Sequence, residues 1–308
     1  MKLIVQPDAG IVPLVQAIRK ARKRLEICIF RFDRDEIEKE IIAAVQRGVK
    51  VRTLIAHTNS GGEKRLRALE QRLLEAGAQV SRSAGDLLRY HGKYIVSDST
   101  LHLLAFNFTK VDIDKSRSFA IATKDKKAVH EACKLFDADT TRQAYEPGSS
   151  TLVVSPETSR AMLTKFIKGA HRELAIYDAK VQDPAMLKLL KERCAKGVIG
   201  TVKGPDGDIE ARKLNMRLHV RAIIRDGTRA FIGSQSLRTP ELDSRREVGI
   251  VLANPSVARA MLQVFERDWK ESGKAKDKDP SQGTIDKTAK KAKKAKKAKK
   301  AKSAKSAA

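Results

Sequence analysis

Apolar residues in the first half of the chain follow two patterns in turn. Two sets recur at the spacing of one helix face: Ile11, Leu14, Val15 and Ile18, then Ile37, Ile41, Ala44 and Val45. Residues 25–30 and 49–56 form short apolar runs typical of buried strands. Gly48 stands where a helix would end directly before a strand. This alternation predicts an α/β fold in which helices cover a sheet of parallel strands.

A third helix is predicted in the first half only. Residues 63–76 carry apolar positions at helical spacing and lie between Gly48 and His91. The corresponding segment of the second half, between Gly197 and His219, is much shorter. It is therefore predicted to lack a counterpart of this helix.

The chain carries two copies of one unit. Residues 3–7 (Leu-Ile-Val-Gln-Pro) match residues 152–156 (Leu-Val-Val-Ser-Pro) at an offset of 149, and the Gly-Val pair after the second helix repeats at the same offset. Repetition at a constant offset indicates a duplicated structural unit. In the second copy, helices are predicted at residues 158–168 and 184–196 on either side of a strand at residues 174–177.

We therefore divide the chain into a first copy at residues 1–148, a second copy at residues 149–273 and a tail at residues 274–308. Residues 287–305 of the tail hold eleven Lys and no acidic residue. The Lys-Lys-Ala repeat has a period of three, which leaves no apolar stripe on a helix. The tail is therefore predicted to be disordered when free.

The chain is basic even without its tail. The formal net charge is +26, and the tail's 14 Lys and three acidic residues contribute +11, which leaves +15 on residues 1–273. Such a surface attracts polyanions. An anionic membrane surface or a nucleic acid, bound through the Lys-rich tail, is therefore an expected partner.

The remaining composition favours a cytoplasmic protein, possibly peripheral at the inner face of the membrane. Cys28, Cys133 and Cys194 are odd in number and widely spaced, which predicts buried thiols without disulfide or zinc spacing. No stretch approaches the roughly 20 apolar residues of a membrane helix. The first ten residues do not form a signal peptide pattern.

Each copy contains a similar cluster of polar residues. In the first, His91-Gly-Lys93 is followed by Asp98 and then by Asn107. The corresponding residues of the second cluster, in chain order, are His219, Arg221, Asp226, Ser234, Ser236 and Glu247. On a strand, a spacing of two places the histidine and the cation on one face, where both can reach one phosphate.

These paired His-x-Lys/Arg-x4-Asp motifs resemble those of the phospholipase D superfamily. The resemblance spans residues 1–273, since the duplication is part of the family's pattern. It implies two tandem copies of an α/β/α sandwich that share one active-site cleft, so that a monomer completes the site. It also implies phosphodiester chemistry through a covalent phosphohistidine, with no metal and no cofactor.

The resemblance also implies roles for the residues of the motifs. His91 is expected to be the nucleophile and His219 the general acid and base. The expected ligands of the phosphoryl oxygens and substrate are Lys93, Arg221, Asn107, Ser234 and Ser236. Asp98 and Asp226 are expected to support their loops.

The sequence departs from the family's pattern at three positions. Arg221 replaces Lys and keeps its charge, and Ser236 stands where Asn is usual. Ala120 stands where an acid or amide often orients a histidine. Glu247 keeps that role in the second copy and is expected to act on His91.

The orienting acid of His219 must then come from elsewhere. Asp112 or Asp114, on the segment after Asn107, is our hypothesis for it.

The function predicted from the resemblance is phospholipid hydrolysis or phosphatidyl transfer. One alternative is a nuclease that acts on DNA or RNA, which the charge suits. Another is a catalytically weakened polyanion-binding protein on the same fold. An apolar rim at the cleft would favour the phospholipid, and basic residues along a groove would favour the nucleic acid.

Overall fold

The computed structural model describes residues 1–57, 62–148, 151–193, 195–202 and 209–274. The tail beyond residue 274 and Cys194 lie outside the described residues, so the disorder predicted for the first and the burial predicted for the second stay predictions. Cys28 and Cys133 are buried free thiols, as predicted.

The first sheet is mixed in direction. Its strands are β1 (Lys2–Gln6), β2 (Arg24–Ile29), β3 (Lys50–Ile55), β4 (Gln79–Arg82), β5 (Tyr94–Ser97), β6 (Thr100–Leu104) and β7 (Ser116–Thr123). They lie in the order β1-β7-β6-β5-β2-β3-β4. Strands β2, β3 and β4 are parallel, whereas β5, β6, β7 and β1 pair antiparallel. The predicted parallel pairing is confirmed for β2, β3 and β4, but the sheet as a whole is mixed, because a short turn joins β5 to β6 and no helix crosses between them.

Helices cover this sheet, and the first three of them lie at the predicted places. They are α1 (Val12–Arg19), α2 (Asp35–Gln46), α3 (Glu63–Glu75), α4 (Lys110–Asp114) and α5 (Lys126–Thr141). Gly48 has a φ of 79° and donates its N–H to Val45 O, while Val49 donates to Ala44 O. This bond pair ends α2 as a Schellman motif, which needs a residue tolerant of positive φ.

The second sheet repeats the arrangement. Its elements are β8 (Leu152–Val154), α6 (Ser159–Lys168), β9 (Leu174–Val181), α7 (Pro184–Glu192), β10 (Ala195–Val202), β11 (Ala211–Lys213), β12 (Arg217–Leu218), β13 (Arg221–Arg225), β14 (Arg229–Gly233), α8 (Thr239–Asp243), β15 (Val248–Leu252), α9 (Pro255–Glu271) and β16 (Gly273–Lys274). The strand order is β16-β11-β10-β9-β13-β14-β15-β8, with β9, β10 and β11 parallel.

One sequence prediction changes here. The helix predicted for residues 184–196 ends at Glu192, because the chain from Ala195 onwards pairs with β9 and buries Val198 and Ile199. Among the described residues between β10 and β12 there is no helix, in line with the predicted loss of the third one; residues 203–208 lie outside the description. Within the described part of the chain, no helix combines the length and apolarity needed to cross a membrane.

The two sheets pack against each other through one apolar core. Phe119 of β7 meets Tyr177 of β9 at 5.3 Å between ring centroids, and Tyr177 meets Phe265 of α9 at 5.2 Å. Strand β12 also pairs with β7 of the first sheet. Residues Met1–Gly273 therefore form one compact unit. The predicted α/β fold of two tandem copies is confirmed, while the boundary at residue 148 stays a prediction.

Candidate active site

His91 lies directly before β5 and is held by the second half of the chain. Its backbone N–H donates to Arg246 O at 2.7 Å, and its Nδ1 lies 2.7 Å from Oε2 of Glu247. Both side chains are buried, and Glu247 has no solvent exposure. A carboxylate on Nδ1 fixes the ring and leaves Nε2 as the nitrogen available for chemistry.

The surroundings of His91 favour a neutral ring. Burial, followed by the charges of Lys93 and Arg221, lowers the pKa of His91 well below its ordinary value. Burial also raises the pKa of the Glu247 carboxyl. A neutral imidazole whose Nδ1 carries the proton has a free lone pair on Nε2, which a nucleophile requires.

His219 is held in the mirrored way by the first half. Its backbone N–H donates to Arg117 O at 3.1 Å, and its Nδ1 lies 3.0 Å from Oδ2 of Asp112 on α4. Of the two hypothesised acids, Asp112 therefore meets His219. Asp114 instead pairs with Arg34.

Asp112 is firmly anionic. Burial opposes its ionisation, but His219, Arg217 and the Asn107 N–H, 3.0 Å away, together hold the pKa of Asp112 below its usual range. Burial lowers the pKa of His219 to about 4, and Asp112 works against that lowering. Asp112 thus stabilises the protonated ring that a general acid needs.

Ser118, and not Ala120, is the first copy's counterpart of Glu247. His91 N–H bonds to Arg246 O, as His219 N–H bonds to Arg117 O, so the residues that follow those two arginines correspond. The Ser118 hydroxyl donates to His219 O at 2.6 Å. Ala120 is a buried residue of β7 that pairs with Ile4 and Leu104. The spacing in the sequence therefore placed the missing acid two residues too late, at Ala120 in place of Ser118.

The two predicted cations occupy different surroundings. Lys93 is 1% exposed, its Nζ donates to His91 O at 2.6 Å, and burial lowers the pKa of Lys93 to about 7. Arg221, at the start of β13, is partly exposed and donates from Nε to Ser236 Oγ at 3.0 Å. Its Nη1 is buried without a partner among the described residues. That nitrogen is available to a phosphoryl oxygen.

The predicted substrate ligands are partly engaged within the protein. Asn107 Nδ2 donates to Asp112 Oδ2 at 2.7 Å. Ser236 is buried and accepts from Arg221. The Ser234 hydroxyl accepts from the Val248 N–H at 3.1 Å and is also buried. The structure gathers these side chains at the site, and their contact with substrate stays a prediction.

The aspartates of the two motifs share one geometry. Asp98 has a φ of 50° and accepts from the N–H groups of Arg22, Lys23 and Arg24 at 2.9–3.0 Å. Asp226 has a φ of 53° and accepts in the same way from three consecutive N–H groups, of residues 171–173. Each aspartate therefore fixes the turn that leads into the central strand of its sheet.

Sequence reasoning missed the residues that flank the nucleophile. The ring of Phe30 meets the His91 ring edge-on at 4.4 Å between centroids. Arg89 and Lys93 each lie over the same Phe30 ring, at 5.6 and 5.4 Å. The signal was present in the sequence, since an Arg stands two residues before each histidine: Arg89 before His91, and Arg217 before His219.

No group of three or more His, Cys, Asp or Glu side chains in the described ranges is arranged to hold a metal ion.

The first half matches a known family of domains. Residues 14–140 match the family described as "Cardiolipin synthase, PLD-like domain". No curated protein matches the sequence.

Two solved structures share the fold over most of the chain. Polyphosphate kinase from Porphyromonas gingivalis superposes with a TM-score of 0.69 over 86% of this chain at 18% identity, and this chain spans 46% of that protein. Phosphatidylserine synthase from Haemophilus influenzae Rd KW20 superposes with a TM-score of 0.68 at 10% identity, covering 89% of this chain and 87% of the synthase. Identities this low show a shared fold and leave the activity of this chain to its own residues.

Proposed function

We propose that this chain is a metal-independent enzyme of phosphodiester chemistry. The match of residues 14–140 to a PLD-like domain and the fold shared with solved structures support the proposal. The observation that carries the proposal is the crossed pair of contacts between the two copies. Glu247 of the second copy holds His91, and Asp112 of the first holds His219. Each contact occupies Nδ1 and leaves the other ring nitrogen for the reaction.

The proposed reaction has two steps. In the first, Nε2 of His91 attacks phosphorus, the bond from phosphorus to the leaving oxygen breaks, and His219 donates its proton to that oxygen. In the second, His219 takes a proton from water or an acceptor alcohol, whose oxygen attacks phosphorus as the bond to His91 breaks. Lys93 and Arg221 bind the non-bridging oxygens and stabilise their charge.

The division of roles rests on the surroundings of the two rings. The surroundings favour a neutral ring more strongly at His91. The pKa of His91 lies well below its ordinary value, and the pKa of its partner, the Glu247 carboxyl, is raised. His219 faces an acid with a lowered pKa, which stabilises the imidazolium. An anionic diester bound between Lys93 and Arg221 adds a further negative charge beside His219 and raises its pKa towards neutrality.

A phospholipid remains the substrate predicted from the resemblance, and hydrolysis and phosphatidyl transfer both fit the two steps. The nuclease alternative uses the same residues. The third alternative, a polyanion-binding protein with weakened activity, differs in predicting no turnover.

The test is a single-turnover reaction in EDTA on bis(4-nitrophenyl) phosphate, followed by acid quenching and peptide mapping. We expect phosphate on His91 of the wild type, and accumulation of that adduct in His219→Asn because its release lacks a base. His91→Asn should lower kcat by about 10³-fold or more and form no adduct. His130→Asn, a surface histidine on α5, is the matched control and should behave as wild type.

Loss of activity in EDTA, or full activity in His91→Asn, would contradict the proposal. Folding is checked for each variant by its thermal transition. Turnover of phosphatidylglycerol vesicles and of single-stranded DNA, measured side by side, separates the phospholipid from the nucleic acid.

A further inference from the structure

Arg89 is a further cation beside the nucleophile, and the charges of Glu247 and Glu241 act on it from a distance. Its guanidinium lies over the Phe30 ring, which in turn contacts the ring of His91. In the described ranges, the side chain of Arg89 forms no ion pair and no hydrogen bond. It is only partly exposed, and burial and the nearby charge of Arg245 lower the pKa of Arg89.

Arg245 lies near Arg89. It stands two residues before Glu247, as Arg89 stands two residues before His91, and Arg246 N–H bonds to Arg89 O at 2.8 Å between them. Glu241 fixes Arg245 through Nη1 at 2.7 Å, while Nε of Arg245 is buried without a partner among the described residues. The guanidinium groups of Arg89 and Arg245 therefore lie near each other in a partly buried position. Phe30 contacts the first, and Glu241 binds the second.

The matching place in the second copy is neutralised. Arg217 precedes His219 by two residues, as Arg89 precedes His91, but Arg217 pairs with Asp112 and bonds to Ser116 Oγ at 2.8 Å. The two ends of the site thus differ. Arg217 is held by a carboxylate at the His219 side, whereas Arg89 forms no ion pair within the described residues.

Like charges brought together under partial burial destabilise the protein unless an anion compensates them. A planar guanidinium fork matches the geometry of a phosphate. We propose that Arg89 and Arg245 form a second phosphate subsite, which binds the phosphodiester next to the reacting one in a nucleic-acid strand. The inference rests on the proposed function, because it places that neighbouring phosphate relative to His91.

A nucleic-acid strand fits this place better than a lipid surface. Its phosphates follow one another along a chain, so one can lie at Lys93 and Arg221 while the next lies at Arg89 and Arg245. Among the described residues, the exposed large apolar side chains are Met1, Val12, Leu74, Leu88 and Val111. Of these, Leu88 alone neighbours the subsite in the chain, so the described surface shows no apolar rim there.

The test measures binding of fluorescein-labelled oligothymidylates in EDTA, with the full chain in a His91→Asn background so that no strand is cut. Arg89→Gln should weaken the binding of a ten-nucleotide strand about tenfold. It should also reduce the log–log salt slope by about 0.7, the value for one lost phosphate contact on a single strand. Arg245→Gln should act in the same direction. Arg259→Gln, an exposed arginine of α9, is the charge-matched control and should leave the slope within error of the parent.

A second measurement uses substrates with one phosphodiester in otherwise wild-type protein. Arg89→Gln should leave kcat/KM for bis(4-nitrophenyl) phosphate within twofold of wild type, because that substrate does not reach the subsite. Unchanged strand binding, or an equal loss on the strand and on bis(4-nitrophenyl) phosphate, would overturn the subsite.

A loss on cardiolipin vesicles with unchanged strand binding would overturn the nucleic-acid assignment, because it would assign the second phosphate to a lipid. Failure of the proposed function would be detected by a separate measurement. It would appear as full activity of His91→Asn or absence of the His91 adduct, whereas the binding test does not depend on turnover.

Discussion

The two histidines of the site face different acids, although duplicated segments of the chain supply them. His91 faces Glu247, a carboxyl whose pKa burial raises, while His219 faces Asp112, whose pKa is held low by His219, Arg217 and a backbone N–H. Burial lowers the pKa of both histidines, but Asp112 opposes that lowering at His219. Duplication therefore provides two histidines, and the divergence of their acids supports a nucleophile on one side and a proton donor on the other.

The largest effect on this comparison is expected from Asp112→Asn. Because Asp112 supports the imidazolium of His219, its loss should lower kcat at pH 7 by about 10²–10³-fold, within the usual range for general acid catalysis. Asp112 raises the pKa of His219 against burial, so its removal takes that pKa below about 4. Less of His219 is then protonated at any higher pH, and the falling limb of kcat/KM moves to lower pH. The pH–rate profile on bis(4-nitrophenyl) phosphate checks this.

Asp114→Asn is the control for that variant, since Asp114 lies two residues further on the same helix and pairs with Arg34. It should leave both kcat and the profile unchanged. Superimposable profiles for wild type and Asp112→Asn would remove Asp112 from the mechanism.

Glu247→Gln should lower kcat less than Asp112→Asn does, by about 10–100-fold, which is the range for groups that orient a reacting side chain. A glutamine oxygen can still accept the Nδ1 proton of His91, and the neutral ring needs no compensating charge. The phosphohistidine should still form, more slowly, in a rapid-quench experiment. A larger loss in Glu247→Gln than in Asp112→Asn would reverse the comparison between the two half-sites.

Arg221→Lys makes the two half-sites more alike and should raise KM by about three- to tenfold. The charge remains, but the bond to Ser236 Oγ and the two-pronged grip on a phosphate are lost. Steady-state kinetics on bis(4-nitrophenyl) phosphate measures the change. In the Arg221→Lys background, Ser236→Ala should cause no further rise in KM. A full additional rise in KM would show that Ser236 acts independently of Arg221.

Deleting residues 275–308 should have the smallest effect and should leave kcat on bis(4-nitrophenyl) phosphate unchanged. The tail's lysines can raise the local concentration of a polyanion but contribute nothing to either histidine. Binding of oligothymidylate should weaken, and its salt dependence should become shallower. If binding to DNA and to anionic vesicles at low salt is unaffected, the tail acts only on solubility.

Much of the site could be predicted because its chemistry requires fixed residue types at fixed spacings. A histidine and a cation two residues apart can reach one phosphate, so the pairs at His91 and His219 are readable without a structure. The sequence left two candidates, Asp112 and Asp114, for the acid that orients His219. The structure places Oδ2 of Asp112 3.0 Å from Nδ1 of His219. Choosing between them required the geometry of α4, which sends Asp112 inwards and Asp114 towards Arg34.

Other features could not be read by spacing alone. The sequence assigned the counterpart of Glu247 to Ala120, whereas the backbone hydrogen bonds of the two histidines identify Ser118. The antiparallel strands carried a local signal that went unused, since Asp226-Gly227 is a typical hairpin turn. The charge balance at Arg89 depends on which acids reach it, and only three-dimensional contacts decide that.

The crossed contacts also determine at which stage of synthesis the site becomes complete. Ribosomes deliver the chain from its N-terminus, so His91 and Asp112 emerge well before their partners do. His91 has no orienting carboxylate until Glu247 has left the exit tunnel, and Asp112 awaits His219. A nascent chain that displays only the first copy therefore lacks three residues of the site, Arg221, His219 and Glu247. The site can be assembled only after the second copy has been synthesised and has packed against the first.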